Sequence, residues 1–179
     1  MRAFVAIEIQ DESILDAIAK IQSEFKISAT PVSKKNMHFT LLFLGEITED
    51  TASSVKKALS TISFKKIDVN FTHVGAFPNP RSPRVIWIGV DDTSSKHLVD
   101  LASQVEKKLE PLGFRPDKPF KPHLTIFRIK NKVGDILGIM EKFKKVDLGK
   151  YNMTELKFKQ SILTPSGPIY SDLQVILAQ

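Results

Sequence analysis

Two stretches, His38-Phe39-Thr40-Leu41-Leu42-Phe43-Leu44 and His123-Leu124-Thr125-Ile126-Phe127-Arg128, begin with the same pattern and lie 85 residues apart (38 to 123). Each starts with His-x-Thr and continues into an apolar run, which reads as a buried strand closed in the first case by Gly45. Side chains alternate along a strand, so residues two apart share a face about 7 Å from one another. His38 and Thr40 therefore point one way together, and so do His123 and Thr125.

Working outward, the flanking elements repeat as well. Phe4 and Ala6, set among Val5, Ile7 and Ile9, predict an internal strand before the first motif. Asp11 is placed to cap a helix that carries Ile14, Leu15, Ile18, Ile21 and Phe25 at helical spacing. After the motif, Thr48 opens a second helix with Val55, Ala58, Leu59 and Ile62. Ile67, Val69, Phe71 and His73 then alternate as a half-exposed strand. The second half repeats this order. Val85 to Val90 is a strand, and Thr93 or Ser94 caps a helix bearing Leu98, Leu101, Val105 and Leu109. His123 to Ile129 is the second motif strand, and Val133, Ile136, Leu137, Met140 and Phe143 form a helical stripe. Two closing strands, near 153–163 and 169–177, flank the turn Thr164-Pro165-Ser166-Gly167-Pro168. The repetition reads as a diverged internal duplication. The proline-rich segment 77–83 marks a boundary between lobes 1–76 and 84–179 of one domain spanning 1–179, with room for strands to exchange between them.

Composition limits the chemistry. The chain of 179 residues is 42% hydrophobic, enough for a sizeable core. It has no cysteine, which removes disulfides, thiolate nucleophiles and cysteine-bound metals. Lys plus Arg number 26 against 20 Asp plus Glu, a net +6 that permits a phosphate-bearing partner without requiring one. No apolar run approaches a membrane span, and Glu8 interrupts the apolar start, so a cytoplasmic protein is expected.

A single His-x-Thr is ordinarily a hydrogen-bonded strand histidine. Two copies, at matching places of a repeat and using two of only four histidines, carry more. If the halves pack about a pseudo-two-fold axis, two imidazoles and two hydroxyls meet in one cleft. One neutral imidazole can take a proton from water while the other, protonated, gives one to a departing ribose oxygen. Threonine hydroxyls can hold the non-bridging oxygens of a phosphodiester. Histidine supplies both acid and base near pKa 6.5, so no metal or other cofactor is expected, and no His/carboxylate cluster has ligand spacing.

The two motifs, as His38-to-Glu46 and Phe120-to-Arg128, resemble the paired signatures of the two-histidine (2H) phosphoesterases. The match is to the LigT-like branch of RNA 2′,3′-cyclic phosphodiesterases, also called 2′-5′ RNA ligases. Met1-to-Ile7, Phe77-to-Trp87 and Ser166-to-Tyr170 fit the same branch. The resemblance implies an α+β, bilobal fold in which each lobe is an antiparallel sheet backed by helices, with the active-site cleft between them. It implies hydrolysis of RNA 2′,3′-cyclic phosphate ends to 2′-phosphates, and the related, reversible joining of a 5′-hydroxyl to a cyclic phosphate in a 2′-5′ bond. By position it makes His38 the proton donor and His123 the proton acceptor, with Thr40 and Thr125 binding phosphate; the residues alone leave the swap open. The implied partners are RNA, tRNA halves among them, or nucleotides ending in a cyclic phosphate, acted on by a monomer with no membrane association.

Other residues are candidates for substrate contact. Arg128 follows the second motif, but strict alternation puts it opposite His123 and Thr125 unless a bulge or the strand end brings it back. Lys121 and Lys118 precede His123 and can steer RNA or simply be solvated. Trp87 and Tyr170 can stack on a base; for mid-strand Trp87 core packing is the favoured reading, whereas Tyr170, beside a Gly-Pro turn, is more open to a cleft role. His73 shares the face of Ile67, Val69 and Phe71, and His97 reads as a surface residue. Two other functions compete: a phosphodiesterase for small nucleotides such as an ADP-ribose cyclic phosphate, and a non-catalytic RNA- or nucleotide-binding module.

Overall fold

The computed structural model describes residues 1–179. The order is β1 (Arg2–Glu8), α1 (Glu12–Glu24), β2 (His38–Glu46), α2 (Glu49–Leu59), β3 (Ile67–Phe77), β4 (Val85–Val90), α3 (Asp92–Leu109), β5 (Leu124–Arg128), α4 (Leu137–Lys142), β6 (Lys150–Met153), β7 (Glu155–Thr164) and β8 (Gly167–Leu177). Asp11 caps α1 by accepting the Ile14 N–H at 3.0 Å, and Thr48 caps α2 by accepting the Thr51 N–H at 3.1 Å.

Three local expectations change. The cap of α3 is Asp91, whose carboxylate accepts the Ser94 N–H at 2.8 Å, not Thr93 or Ser94. Ser94 lies inside the first turn, where its buried hydroxyl accepts the Asn70 N–H at 2.9 Å. The stripe from Val133 to Phe143 shrinks to the six residues of α4. Gly134 takes φ +83°, and the buried Ile136 and Phe143 flank the helix instead of lining it. The strand expected near 153 divides at Thr154 into β6 and β7, which join different sheets.

Two antiparallel four-stranded sheets result, ordered β2-β1-β7-β8 and β5-β4-β3-β6. The duplication equates β1 with β4 and β2 with β5. The third strand of each half has crossed over: β3 pairs with β4, and β7 pairs with β1. Strands are exchanged between the sheets: the first takes β7 and β8 from the second half of the chain, and the second takes β3 from the first half. One continuous cluster of 43 buried residues links them, including Phe39 of β2 stacked on Phe71 of β3 at 6.0 Å. Such a shared core ties the lobes into one cooperative body. β2 and β5, the two motif strands, form neighbouring edges of the two sheets. No helix is long and apolar enough to cross a membrane.

Candidate active site

His38 opens β2, and His123 stands immediately before β5. Each ring is held the same way. Nδ1 of His38 lies 2.7 Å from the Asn36 carbonyl oxygen, and Nδ1 of His123 lies 2.7 Å from the Lys121 carbonyl oxygen. A carbonyl only accepts, so Nδ1 is the protonated nitrogen in both neutral rings and Nε2 is left to take or give a proton. Thr40 and Thr125 follow two residues on, both half-buried, between neighbours that are fully covered.

The surroundings of the rings differ. His38 sits 5.2 Å from Phe4 and 5.2 Å, edge-on, from Tyr170. Burial pushes its pKa down to about 4; the Asn36 carbonyl opposes this, while the Arg128 and Lys159 charges add to it. His123 sits 5.2 Å from Phe77 and 6.3 Å from Trp87. Burial again lowers its pKa, with the Lys121 carbonyl opposing and Arg128 contributing.

Arg128 reaches the cleft because the strand is not regular. Ile86 pairs with Phe127 and Trp87 with Thr125, leaving Ile126 as an extra residue. This bulge inverts the alternation: Ile126 and Phe127 are both buried, and Arg128 emerges on the side of His123 and Thr125. Its positive charge acts on His38, His123 and Tyr170 alike. One cation thus stands within electrostatic reach of both imidazoles, although they are distant in the chain. The first half has the matching bulge at Leu41, between the pairs Val5/Leu42 and Ala6/Thr40. There the residue five after the histidine is Phe43, and it is 61% exposed.

The second bulge is held from outside its own sheet. The Ile126 carbonyl accepts the Val32 N–H at 2.9 Å and the side-chain amide of Gln22 at 2.9 Å. The same Gln22 amide also donates to the Val32 carbonyl at 3.0 Å. Gln22 is buried on α1, and sequence reasoning passed over it because a glutamine among apolar helix positions carries no signal of its own.

Tyr170 lies in the cleft beside His38 and Phe4. Burial raises its pKa against the pull of Arg128, Arg2 and Lys159. Lys121 contributes its carbonyl to His123, while its side chain is exposed, as is that of Lys118. His97 is exposed on α3, as expected. His73 does not share the face of Phe71. The pairs Phe71/Val90 and His73/Gly89 place a bulge at Thr72, which turns His73 away from the core. Its ring lies edge-on to Trp87 at 5.6 Å. Trp87 also departs from expectation: Ile86 and Ile88 beside it are fully buried, but Trp87 is half-buried on the side of His123.

Sequence reasoning also missed four charges on the floor beside His38. Lys159 Nζ lies 2.6 Å from Glu8 and 2.5 Å from Asp172, and Lys157 Nζ lies 3.2 Å from Glu8 and 3.0 Å from Asp172. Both lysines are buried. Burial alone works against the charges of Lys157 and Asp172, yet the pairing outweighs it, raising Lys157 and lowering Asp172. The signal was the alternation of Glu155, Lys157 and Lys159 with Leu156 and Phe158.

The chain is similar to proteins of known kind. A family model described as LigT like Phosphoesterase matches twice, over residues 7–87 and 88–170. An RNA 2′,3′-cyclic phosphodiesterase of Archaeoglobus fulgidus is 44% identical over 177 residues, covering 98% of this chain and 99% of its own. One of Methanocaldococcus jannaschii is 38% identical over 174 residues, covering 95% and 96%. In fold, a crystal structure of a Thermus thermophilus protein superimposes with a TM-score of 0.80 at 24% identity, covering 99% of this chain and 97% of its own. Apo LigT of E. coli gives 0.77 at 22% identity, covering 99% and 98%. The double match falls on the two halves that the repeated His-x-Thr strands define, and the chain belongs to the LigT-like phosphoesterases.

Proposed function

We propose that the protein hydrolyses the 2′,3′-cyclic phosphate ends of RNA to 2′-phosphates by acid–base catalysis between His38 and His123. The observation that carries this reading is the shared presentation of the two rings: each is fixed through Nδ1 at 2.7 Å to a backbone carbonyl, and both feel the charge of Arg128. In this mechanism Nε2 of His123 takes a proton from water, which attacks phosphorus in line with the P–O3′ bond. That bond breaks, and His38 gives its proton to O3′. Thr40 and Thr125 hold the non-bridging oxygens, and Arg128 offsets charge gathering on them. Tyr170 faces the sugar–phosphate beside His38, and Lys121 draws the chain in by its charge. No step uses a metal. With an RNA 5′-hydroxyl in place of water as the attacking group, the same residues form a P–O5′ bond as P–O3′ breaks, leaving a 2′-5′ linkage. The cleft is complete within one chain, which suits a cytoplasmic monomer of one domain.

The role of donor makes a demand on His38. At about 4 it is neutral in the free protein at pH 7, so the negative phosphate must restore its proton on binding. The stronger depression of His38 favours a second reading in which it is the base and His123 the acid. The defining experiment is incubation with an RNA ending in a 2′,3′-cyclic phosphate, followed by mapping of the product end. A 2′-phosphate is expected, with turnover undiminished by EDTA. A 3′-phosphate, or binding without turnover, refutes the mechanism.

A further inference from the structure

We propose that Trp87 is the platform on which the nucleobase of the cyclic-phosphate nucleotide stacks, an inference that rests on the phosphodiesterase reading for its substrate. Across the sheet from Trp87 is Gly75. A Cβ at Gly75 would stand 2.3 Å from both Cζ2 and Cη2 of the indole and 2.7 Å from Cε2. A point that close to three successive ring atoms lies over the ring face and not beyond its edge. A Cβ at Gly89, two residues on in β4, would stand 3.0 Å from Cζ3 and 2.4 Å from Cε1 of His73. The indole therefore lies flat on a floor of glycine backbone, which any larger residue at 75 would lift.

Its position is fixed from the side. His73 stands edge-on at 5.6 Å, Phe77 is tilted at 5.0 Å, and His123 approaches at 6.3 Å. Nε1 is buried without an acceptor, so packing alone sets the orientation of the ring. One face is taken by Gly75; the other is turned away from the sheet, toward the side that carries His123 and Thr125. Although the ring leans over β3, its centroid stays 6.3 Å from that of His123, which puts the platform beside one of the two proposed catalytic imidazoles. A base stacked there keeps its ribose phosphate within reach of the histidines. The corresponding residue of the first half, opposite Thr40, is Ala6. Only one side of the cleft thus offers an indole, which gives the nucleotide a single orientation. Stacking on an indole accepts every base, because each has a π-face.

Trp87 is the only tryptophan, so its emission reports this site alone. Wild-type protein is titrated with adenosine 2′-phosphate and with methyl riboside 2′-phosphate, which lacks a base. The adenosine compound is expected to quench the emission and the base-free compound to leave it unchanged. Kinetically, kcat/KM for adenosine 2′,3′-cyclic phosphate should exceed that for methyl riboside 2′,3′-cyclic phosphate roughly 5- to 100-fold. Trp87→Leu should bring that ratio close to one, and Trp87→Phe should keep part of it. A merely structural role lowers both rates together and leaves the ratio intact, which overturns the proposal, as does unchanged emission at saturating adenosine 2′-phosphate. Failure of the wild type on both cyclic phosphates removes the phosphodiesterase reading instead, and the emission titration still decides the platform by itself.

Discussion

The two halves of the chain build the same strands, the same bulge and the same carbonyl-held imidazole, then surround them differently. His38 lies between Phe4 and Tyr170, beside two buried lysines paired with the carboxylates of Glu8 and Asp172. His123 lies between Phe77 and Trp87, with an exposed lysine loop ahead of it. Five residues past the histidine, one half has Phe43 and the other Arg128. What is shared gives, in the proposed mechanism, two interchangeable imidazoles for one phosphorus atom. What differs removes the interchangeability, because a cyclic phosphate has two unlike ester oxygens and only one is to leave.

The largest effects should come from what is shared. His38→Ala and His123→Ala should each lower kcat roughly 100- to 10,000-fold, the usual contribution of a positioned proton-transfer group. The residual pH dependence then separates the halves. If His38 is the donor, His38→Ala leaves a rate that rises with pH to a plateau, since only a neutral base is still required. If His38 is the base, the residual rate falls with pH instead. Near-wild-type turnover in both variants would remove the mechanism.

Next in size is the contrast at the fifth position. Arg128→Ala should lower kcat/KM about 10- to 100-fold, as expected for a lost charge-assisted contact. Phe43→Ala should change it no more than a few-fold. Equal losses would mean that the guanidinium has no special part. A smaller effect is expected from Gln22, which touches no substrate. Gln22→Leu strips a donor from the Ile126 carbonyl and should destabilise the fold by about 1–3 kcal/mol. It should also weaken phosphate binding more than it lowers kcat, because the bulge it supports aims Arg128. Loss of stability with an unchanged KM would limit Gln22 to a structural role.

The last contrast concerns stability against pH and leaves the rate at neutral pH aside. His38 titrates at about 4 in the folded chain against 6.5 for an ordinary histidine. Between those values the unfolded chain binds the extra proton. The contribution of His38 to stability is therefore intact above 6.5 and is lost as pH falls toward 4, by about 3 kcal/mol in total. His38→Asn keeps an amide nitrogen near the place of Nδ1 but does not titrate. Chemical denaturation at pH 4.5 and pH 7 should show a smaller gap for the variant than for the wild type.

The quartet proposed for catalysis was legible because duplication writes it twice: His38, Thr40, His123 and Thr125 sit two residues apart at the start of matching strands, and that spacing suffices to put each pair on one face. Arg128, His73 and Trp87 were harder. Simple alternation places Arg128 and His73 on the wrong faces, since bulges at Ile126 and Thr72 shift the parity downstream of them. A bulge depends on which partner residue a strand skips, and that is settled between strands and not within one. For Trp87, strand position was readable, but the flat floor under it depends on Gly75, which belongs to a strand borrowed from the other half. The crossing of β3 and β7 between sheets leaves no local trace, because each strand has the same apolar alternation wherever it pairs. Asp91 outcompeted Thr93 and Ser94 as a cap for a geometric reason: it is the last residue before the helix turns, and its carboxylate meets the Ser94 N–H.

The pH dependence of kcat/KM on a 2′,3′-cyclic phosphate, which reports groups of the free enzyme, tests most directly whether both imidazoles serve one phosphorus atom. Because both histidines are held below the ordinary 6.5, and His38 near 4, singly protonated enzyme prevails on the acidic side of neutrality. A bell with its maximum between about 4 and 6.5 is expected, losing one limb in His38→Ala and the opposite limb in His123→Ala. A profile that is flat through that range, or that keeps both limbs in either variant, contradicts the pairing of the two rings.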